Sequence, residues 1–412
     1  MTETILFRNG RIFDGVGPDY IAGDVLVRDG RIAAVSADPI EIEDARVLDL
    51  AGRVLMPGLI DAHVHVYAWH VDLSKLRPES YIAQFAGQTL RRALDWGFTT
   101  VRDCAGADVG LADAIADFHI AAPRLFYGGK ALSQTGGHGD LRRRGEEHGP
   151  LCACIPQGCG DNFLARIVDG VDAVRHAVRD ELRQGASHIK IMGSGGVSSP
   201  TDPLENNQFS DAEIAVAVEE CARAGSYVTA HCHPAAAIRR CVALGVRCIE
   251  HGTLMDDETA AFVAVQGAFV VPTLSVIFAL MDQGAEMGFP DVSLRKLETV
   301  AGGALEGIAA MRRAGIRIGL GTDLLGKLQI RQCDEFALRA RVESPLEILR
   351  SATSVNAEIL MQGDQLGCIK PGAHADLLVV DGDPLADIGV LGQRGETFPV
   401  IMQAGRFHKL AL

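Results

Sequence analysis

The sequence predicts an α/β protein, a (β/α)₈ TIM barrel with a small β-sandwich domain formed by the N- and C-terminal segments. Three observations predict it: turn-rich alternating runs at the start, strand-like and helical stretches in alternation from about 58 to 365, and short strand-like runs again at the end. Repeated strand–helix alternation is typical of a parallel sheet, and this many repeats favour a barrel.

Residues 1–57 are predicted to be the N-terminal part of the β-sandwich. The runs ILFRNGRIF, DVLVRDGRIAAVS and ARVLDLAGRVLMPG alternate apolar and polar residues, as strands with one buried face do. Asn9-Gly10 and Asp29-Gly30 are dipeptides that favour tight hairpin turns.

Residues 58–365 are predicted to form the barrel. Its apolar strand candidates include FTTVRD, HIKIMG, YVTAHC, CIEHG, FVVPTL and IRIGLGTD, with amphipathic stretches such as DAEIAVAVEECARAG between them. Residues 366–412 return to short runs, LGCIKPGAHADLLVVDGDP and PVIMQAGRF, and are predicted to complete the β-sandwich.

Composition narrows the function classes. The chain has 412 residues, is 48% hydrophobic, and carries a formal net charge of −14, which disfavours nucleic acid and anionic membrane surfaces as partners. Its start lacks the pattern of a signal peptide and no apolar run is long enough for a membrane span, so we expect a cytoplasmic protein. Cys152, Cys154 and Cys159 crowd one stretch, where a further metal site is one reading and lone buried thiols are the favoured one.

Polar residues stand at the ends of several predicted strands. His63 and His65 are two apart in DAHVH and would share a face of a strand, while TAHCH, IEHG and GLGTD contribute His231, His251 and Asp323. The strand ends of a barrel converge on its C-terminal face. One such histidine alone is more often a hydrogen-bonded core residue, but the whole set predicts a site for divalent metal ions.

Lys190 lies inside the strand-like run HIKIM, which closes on a glycine cluster. An ammonium group has no lone pair and cannot bind a metal. Burial can remove its proton, and the free amine can then react with CO₂ to give a carbamate whose two oxygens bridge two metals. The alternative is an ordinary buried ion pair, for instance with Asp323.

The segments GLIDAHVH, HIKIMGSGGV, TAHCH, EHG, GTD and IKPGAHADLLVVDGDP together resemble the amidohydrolase superfamily over nearly the whole chain. TGGHGD and the stretch before Lys190 are similar to its binuclear-zinc group of prolidase-like or carboxypeptidase-like dipeptidases, which includes ochratoxin-hydrolysing amidohydrolases.

The resemblance implies two divalent metal ions, with zinc expected, and an N-carboxylated Lys190 that bridges them. It implies that His63, His65 and Asp323 bind the more buried ion and that His231 and His251 bind the other. A hydroxide between the ions would be the nucleophile. Asp323 would orient it, take its proton and pass that proton to the leaving amine.

Three further positions beside this ligand set each have two possible roles. The resemblance makes His138, in GGHGD, a contact that stabilises the developing oxyanion, whereas a loop hydrogen-bonding role is its alternative. His233 stands where several relatives have a tyrosine, so it could replace that donor or alter the substrate range. Arg142–Arg144 could hold a substrate carboxylate, but an exposed solvated triplet is the favoured reading.

The predicted function is metal-dependent hydrolysis of the amide bond to a C-terminal amino acid. Substrates would be small: Xaa-Pro or other dipeptides, N-acyl amino acids, or an ochratoxin-type N-acyl-phenylalanine. A cyclic-amide or imidazolone hydrolase is the alternative, and a non-catalytic scaffold of the same fold is a third reading that the complete ligand set disfavours. The resemblance further implies a homo-oligomer.

Overall fold

The computed structural model describes residues 3–146, 162–199 and 201–412. Its strands are β1 (Ile5–Ile12), β2 (Ile21–Arg28), β3 (Arg31–Ser36), β4 (Arg46–Asp49), β5 (Val54–Pro57), β6 (Leu59–Val64), β7 (Phe98–Asp103), β8 (Arg124–Tyr127), β9 (Ala131–Ser133), β10 (Ala165–Ile167), β11 (Ile189–Met192), β12 (Val228–Pro234), β13 (Cys248–Leu254), β14 (Phe269–Val271), β15 (Leu377–Val380), β16 (Val400–Gln403) and β17 (Arg406–Leu410).

The α-helices are α1 (Glu79–Asp95), α2 (Val109–Ala116), α3 (Val171–Arg183), α4 (Asp211–Arg223), α5 (Ala235–Ala243), α6 (Asp257–Gln266), α7 (Leu274–Gln283), α8 (Asp291–Arg313), α9 (Asp334–Arg339), α10 (Pro345–Arg350) and α11 (Asn356–Ile359). Short 3₁₀ turns span Gly326–Arg331 and Ile388–Gly392, and a π-helical turn spans Ser351–Val355. Within residues 3–146, 162–199 and 201–412, no helix is both long enough and apolar enough to cross a membrane.

Strands from both ends of the chain pair in one eight-stranded sheet, which we call the terminal sheet. Its order is β17-β16-β15-β5-β1-β2-β3, with β4 added beside β1, and β15 runs antiparallel to β5. The predicted pairing of the two ends is therefore present. Asp29 and Gly30 connect β2 to β3 with φ angles of 52° and 74°, as a tight hairpin turn requires.

Asn9-Gly10 does not form the turn that the sequence predicts. Both residues lie within β1, where the pairing with β2 shifts register between Phe7 and Gly10 and Asn9 has a φ of 58°. The left-handed conformation that suits a turn here forms a bulge inside a continuing strand.

The central part of the chain forms two parallel sheets, β10-β9-β11-β12-β13-β14 and β6-β7-β8. Apolar side chains of the strands and the surrounding helices pack into the largest core cluster. Helix α4 begins at a capping box, because the Ser210 side chain accepts from Glu213 N and the Glu213 carboxylate accepts from Ser210 N.

The stretch IRIGLGTD, predicted as a strand, makes a single parallel bridge, between Ile318 and Val270 of β14. It still lies between the two parallel sheets, since Gly319 N donates to Val270 O and Ala62 N of β6 donates to Leu320 O. The stretch ends at Asp323, whose φ of 54° leaves the extended conformation.

Candidate metal centre and active-site pocket

The predicted metal ligands come from five segments of the chain that meet at one pocket. His63 ends β6 and His65 follows it, Lys190 lies in β11, His231 in β12, and His251 in β13. These strands are parallel to their neighbours, so their carboxyl ends lie at the same edge. Asp323 N donates to His63 O at 2.8 Å, which brings the end of the 316–323 stretch to the same place.

His63, His65 and Asp323, which we call the inner group, direct three acceptor atoms at one point. His63 Nε2 lies 3.3 Å from His65 Nε2. Asp323 Oδ1 lies 3.4 Å from His63 Nε2 and 3.1 Å from His65 Nε2. All three residues come from segments that the sequence analysis named.

The other ring nitrogens of these histidines are already occupied. His65 Nδ1 lies 3.1 Å from Ala105 O, and His63 Nδ1 lies 2.7 Å from the Glu250 carboxylate. A carbonyl and a carboxylate only accept, so both Nδ1 atoms carry the proton and both Nε2 atoms present lone pairs. Two imidazole lone pairs and a carboxylate oxygen this close together are a donor set that suits a divalent metal ion.

The spacing of the inner group fits a metal ion. Ligand atoms at zinc bond lengths of about 2.0–2.1 Å in tetrahedral geometry lie roughly 3.3 Å from one another. The three distances between 3.1 and 3.4 Å match that value. His63, His251 and Asp323 also form a group whose ligand atoms all lie within 4.8 Å of one another.

Glu250 and Arg102 support the inner group through the hydrogen bond between Glu250 and His63. The sequence analysis predicted a role for neither residue. The Glu250 carboxylate accepts from His63 Nδ1, from Thr229 Oγ1 and, at 2.6 Å, from Arg102 Nη2, and both charged side chains are fully buried. Burial alone would raise the pKa of Glu250, but Arg102 and His63 hold that pKa well below its usual value. The available signal was an ionisable residue inside the apolar strand run CIEHG.

His231, His251 and Lys190, which we call the outer group, lie beside the inner group. The ring centroids of His231 and His251 are 4.6 Å apart, and those of His63 and His251 are 5.0 Å apart. His231 Nε2 lies 3.2 Å from Gly195 O, so Nε2 carries the proton and Nδ1 is left as an acceptor. His251 Nδ1 is 2.8 Å from Thr273 Oγ1, which leaves Nε2 for a ligand.

Lys190 is 2% exposed and lines the pocket with His231, His251 and Asp323. Within residues 3–146, 162–199 and 201–412 its amine has no hydrogen-bond or ion-pair partner, so the alternative of an ion pair with Asp323 is not formed there. The carbamate of Lys190 stays a prediction.

Two residues of the site have left-handed backbone conformations. His251 has a φ of 71° and Asp323 a φ of 54°, and both are non-glycine residues at the mouth of the pocket. Such conformations cost free energy and collect at functional sites, where they aim a side chain that an ordinary strand would direct elsewhere.

His138 and His233 both line the pocket. The His138 ring stacks on His231 with centroids 4.2 Å apart, and its Nδ1 lies 2.7 Å from Ser199 Oγ. Desolvation by burial lowers the pKa of His138 to about 4 and that of His233 to about 3. His233 Nδ1 lies 2.7 Å from Thr253 Oγ1. Their roles toward a substrate remain predictions.

The side chains of the arginine triplet differ in their surroundings. Arg142 donates from Nε and Nη2 to the Asp140 carboxylate, and Arg143 and Arg144 are exposed. Cys152, Cys154 and Cys159 lie outside the described residues.

The pocket has two kinds of wall. The metal-ligand candidates, His138, His233 and Asn162 form the polar part. Aliphatic side chains from α7 and α8 form much of the rest: Val276, Ile277, Leu280, Leu297 and Val300.

Comparisons with known proteins show the family to which the chain belongs. The model of the amidohydrolase family matches residues 54–404. Ochratoxinase from Aspergillus niger is 35% identical over 370 residues, covering 86% of this chain and 76% of its own.

Solved structures are similar over nearly the whole chain. The crystal structure of an amidohydrolase is 47% identical, with a TM-score of 0.95 and coverage of 99% of this chain and 100% of that one. A prolidase complexed with N-methylphosphonate-L-proline is 43% identical, with a TM-score of 0.93 and the same coverage. These neighbours imply an α/β fold of the TIM-barrel type.

Proposed function

Because this chain belongs to the amidohydrolase family and is a hydrolase acting on amide bonds, we propose that it uses two metal ions to release a C-terminal amino acid from a small amide. Its chemistry would take place in the pocket lined by the inner and outer groups. The observation that carries this proposal is the convergence of His63 Nε2, His65 Nε2 and Asp323 Oδ1 on one point.

We assign the ligands as follows. The inner group would hold the more buried ion, His231 Nδ1 and His251 Nε2 would hold the second, and Lys190 would connect them as its carbamate. Carbamate formation joins the neutral amine to CO₂ and releases one proton, so the side chain changes from a potential cation to an anion. When bound, the two divalent ions, zinc being the expected metal, would polarise the scissile carbonyl and lower the pKa of a water molecule.

Asp323 is the proposed catalytic base. Burial would raise the pKa of Asp323, but the imidazoles of His63 and His65, whose Nε2 atoms lie 3.4 and 3.1 Å from its Oδ1, hold that pKa well below its usual value. An ionised carboxylate can therefore accept the proton of the attacking water and deliver it to the nitrogen of the leaving amino acid. His138 and His233 face the same space and are the proposed substrate contacts.

The pocket walls suggest the substrate class. The aliphatic side chains of α7 and α8 would bury an apolar acyl or aminoacyl side chain, which is favourable by about 25 cal/mol per Å² of apolar surface. The names of the relatives, ochratoxinase and prolidase, fit amides whose leaving group is a C-terminal amino acid such as phenylalanine or proline.

We also propose the division of the chain that the sequence predicts. Residues 1–57 and 366–412 would form the small β domain, and residues 58–365 would form an eight-stranded barrel in which the 316–323 stretch takes the place of the last strand. The hydrogen bonds from that stretch to β14 and from β6 to it support this division.

A substrate panel tests the function. Metal-loaded protein, protein treated with a chelator, and the Asp323→Asn variant would be assayed with N-acyl amino acids, Xaa-Pro and other dipeptides, and cyclic amides. We expect turnover of linear amides by the metal-loaded protein alone, and a loss of about 10²- to 10⁴-fold in kcat for Asp323→Asn. Turnover restricted to cyclic amides, or equal rates after chelation, would contradict the proposal.

A further inference from the structure

The loop after β11 is attached to helix α8 by one lysine. Lys296 Nζ donates to the backbone oxygens of Gly196 and Ser199, both at 2.9 Å, and of Asp202. It also lies 3.6 Å from the Asp202 carboxylate, and its side chain is 13% exposed. An ammonium group has three N–H donors, and here all three are used by carbonyls of one loop.

This loop, residues 193–199 and 201–208 as described, carries several parts of the pocket. Gly195 O accepts from His231 Nε2, and Ser199 Oγ contacts His138 Nδ1. Val197 and Ser198 line the pocket directly. The loop thus controls the orientation of one proposed metal ligand and one proposed substrate contact.

A hydrogen-bond chain continues from Lys296 to His138. Asp202 accepts from Gly196 N at 3.1 Å, from Gln208 Nε2 at 3.1 Å and from Ser199 Oγ. The Ser199 hydroxyl has one hydrogen and donates it in the hydrogen bond to Asp202. Ser199 Oγ can then only accept from His138 Nδ1, which fixes the tautomer of His138.

Helix α8 also contributes to the pocket, because Leu297 and Val300 lie on its aliphatic wall. Lys296 therefore connects two walls of the pocket without lining it. Carbonyl and carboxylate oxygens converging on one positive charge are the usual surroundings of a hard cation.

We propose that Lys296 is a positioning residue that replaces a bound cation: it holds the 193–208 loop against α8 and thereby orients His138 and His231. Without the ammonium group, three carbonyl oxygens and a carboxylate would face one another with no positive charge between them. The loop would then move away, and the two histidines would lose their fixed orientation. Its effect on catalysis rests on the proposed function, but its effect on the loop does not.

Chemical rescue of Lys296→Ala tests the proposal. The substitution removes a group equivalent to propylammonium, so added propylammonium can occupy the vacated site. Hydrogen–deuterium exchange of peptides covering 193–208 should be at least about tenfold faster in the variant and should return toward the parent value when propylammonium is added. Propanol, which lacks the charge, should have no effect.

The same variant should lose about 10- to 100-fold in kcat/KM for the best substrate of the panel, and propylammonium should restore it. Lys296→Met fills the space and should show the same loss without rescue. Lys370→Ala is the matched control, since Lys370 pairs with Asp364 at the surface. It should change neither loop exchange nor kinetics.

The outcomes separate the two proposals. Unchanged loop exchange in Lys296→Ala, or faster exchange that propylammonium does not reverse, would overturn the positioning role whatever the activity. Rescued exchange in a protein whose parent hydrolyses no member of the panel would keep the role of Lys296 and reject the proposed function. If Lys296→Ala does not fold, Ser199→Ala must lose kcat/KM at unchanged metal content; parent-like kinetics in that variant would overturn the link to His138.

Discussion

At the residue scale, hydrogen bonds to acceptor-only groups decide which nitrogen of each histidine is available. Ala105 O and the Glu250 carboxylate accept hydrogen bonds from Nδ1 of His65 and His63, whereas Gly195 O accepts one from Nε2 of His231. Each ring is thereby left with one lone pair for a ligand before any metal arrives. The pocket suits a cation because its acceptors are oriented in this way, and not merely because it contains many histidines.

Lys190 gives the first prediction at this scale. Lys190→Ala removes the only proposed ligand that could connect the two ions, so the variant should bind at most one ion per chain where the parent binds two. Metal analysis after dialysis measures this directly. Lys370→Ala, which removes an exposed lysine, should keep the parent stoichiometry.

Two ions per chain in the Lys190→Ala variant would contradict the carbamate role. An ordinary ion-paired Lys190 predicts the opposite result. An ammonium group repels cations, so its removal would strengthen metal binding.

At the element scale, α7 depends on a buried carboxyl group beneath its first turn. Glu335 of α9 accepts from Ser275 N at 2.6 Å and from Leu274 N at 3.3 Å, which satisfies free N–H groups at the start of the helix that forms the aliphatic wall. Desolvation by burial raises the pKa of Glu335 from 4.5 to about 7, against the lowering effect of Arg339.

This raised pKa predicts a pH dependence of stability. Between pH 4.5 and about 7 the folded protein binds more protons at Glu335 than the unfolded chain does. The contribution of Glu335 is therefore present in full below pH 4.5 and is lost as pH rises through about 7. The loss is about 3 kcal/mol at most.

Glu335→Gln should remove this pH dependence. Urea unfolding at several pH values between about 5 and 8 would give the free energy of unfolding of parent and variant. The free energy of unfolding of the parent should fall relative to that of the variant as pH rises, because only the parent loses stability at this group. A difference that does not vary with pH would show that Glu335 does not titrate in this range.

The sequence predicted the elements of the site better than the contacts that support it. Apolar runs that end in His231, His251 or Asp323 could be recognised locally, since strand periodicity needs only neighbouring residues. The partners Glu250, Thr273 and Ser199 could not, because their roles depend on side chains brought together from distant segments. The stretch IRIGLGTD was predicted to be a strand but makes only one β-bridge. Hydropathy alone does not reveal how many backbone pairs a stretch forms.

At the scale of the whole molecule, the terminal sheet and the parallel sheets share a core. One buried cluster includes Val54 and Leu378 from the terminal sheet together with Phe98 of β7 and Phe336 of α9. Phe398, fully buried just before β16, belongs to the same cluster. The two proposed domains should therefore unfold together, because neither can keep its apolar face buried alone.

Phe398→Ala tests this coupling. Removing a buried phenylalanine side chain should lower the free energy of unfolding of the entire chain by about 3–5 kcal/mol. Far-ultraviolet circular dichroism reports all helices, and the fluorescence of Trp96, also in this cluster, reports the shared core. Both signals should follow one transition in the parent and one, at lower denaturant concentration, in the variant.

Val265→Ala is the control, because Val265 is 83% exposed and its truncation leaves no cavity. It should unfold at the parent's midpoint. Separate transitions for the two signals in Phe398→Ala would mean that the terminal sheet unfolds while the helices persist. In that case the shared cluster would stabilise the small β domain alone, and the metal pocket would not depend on the ends of the chain for its stability.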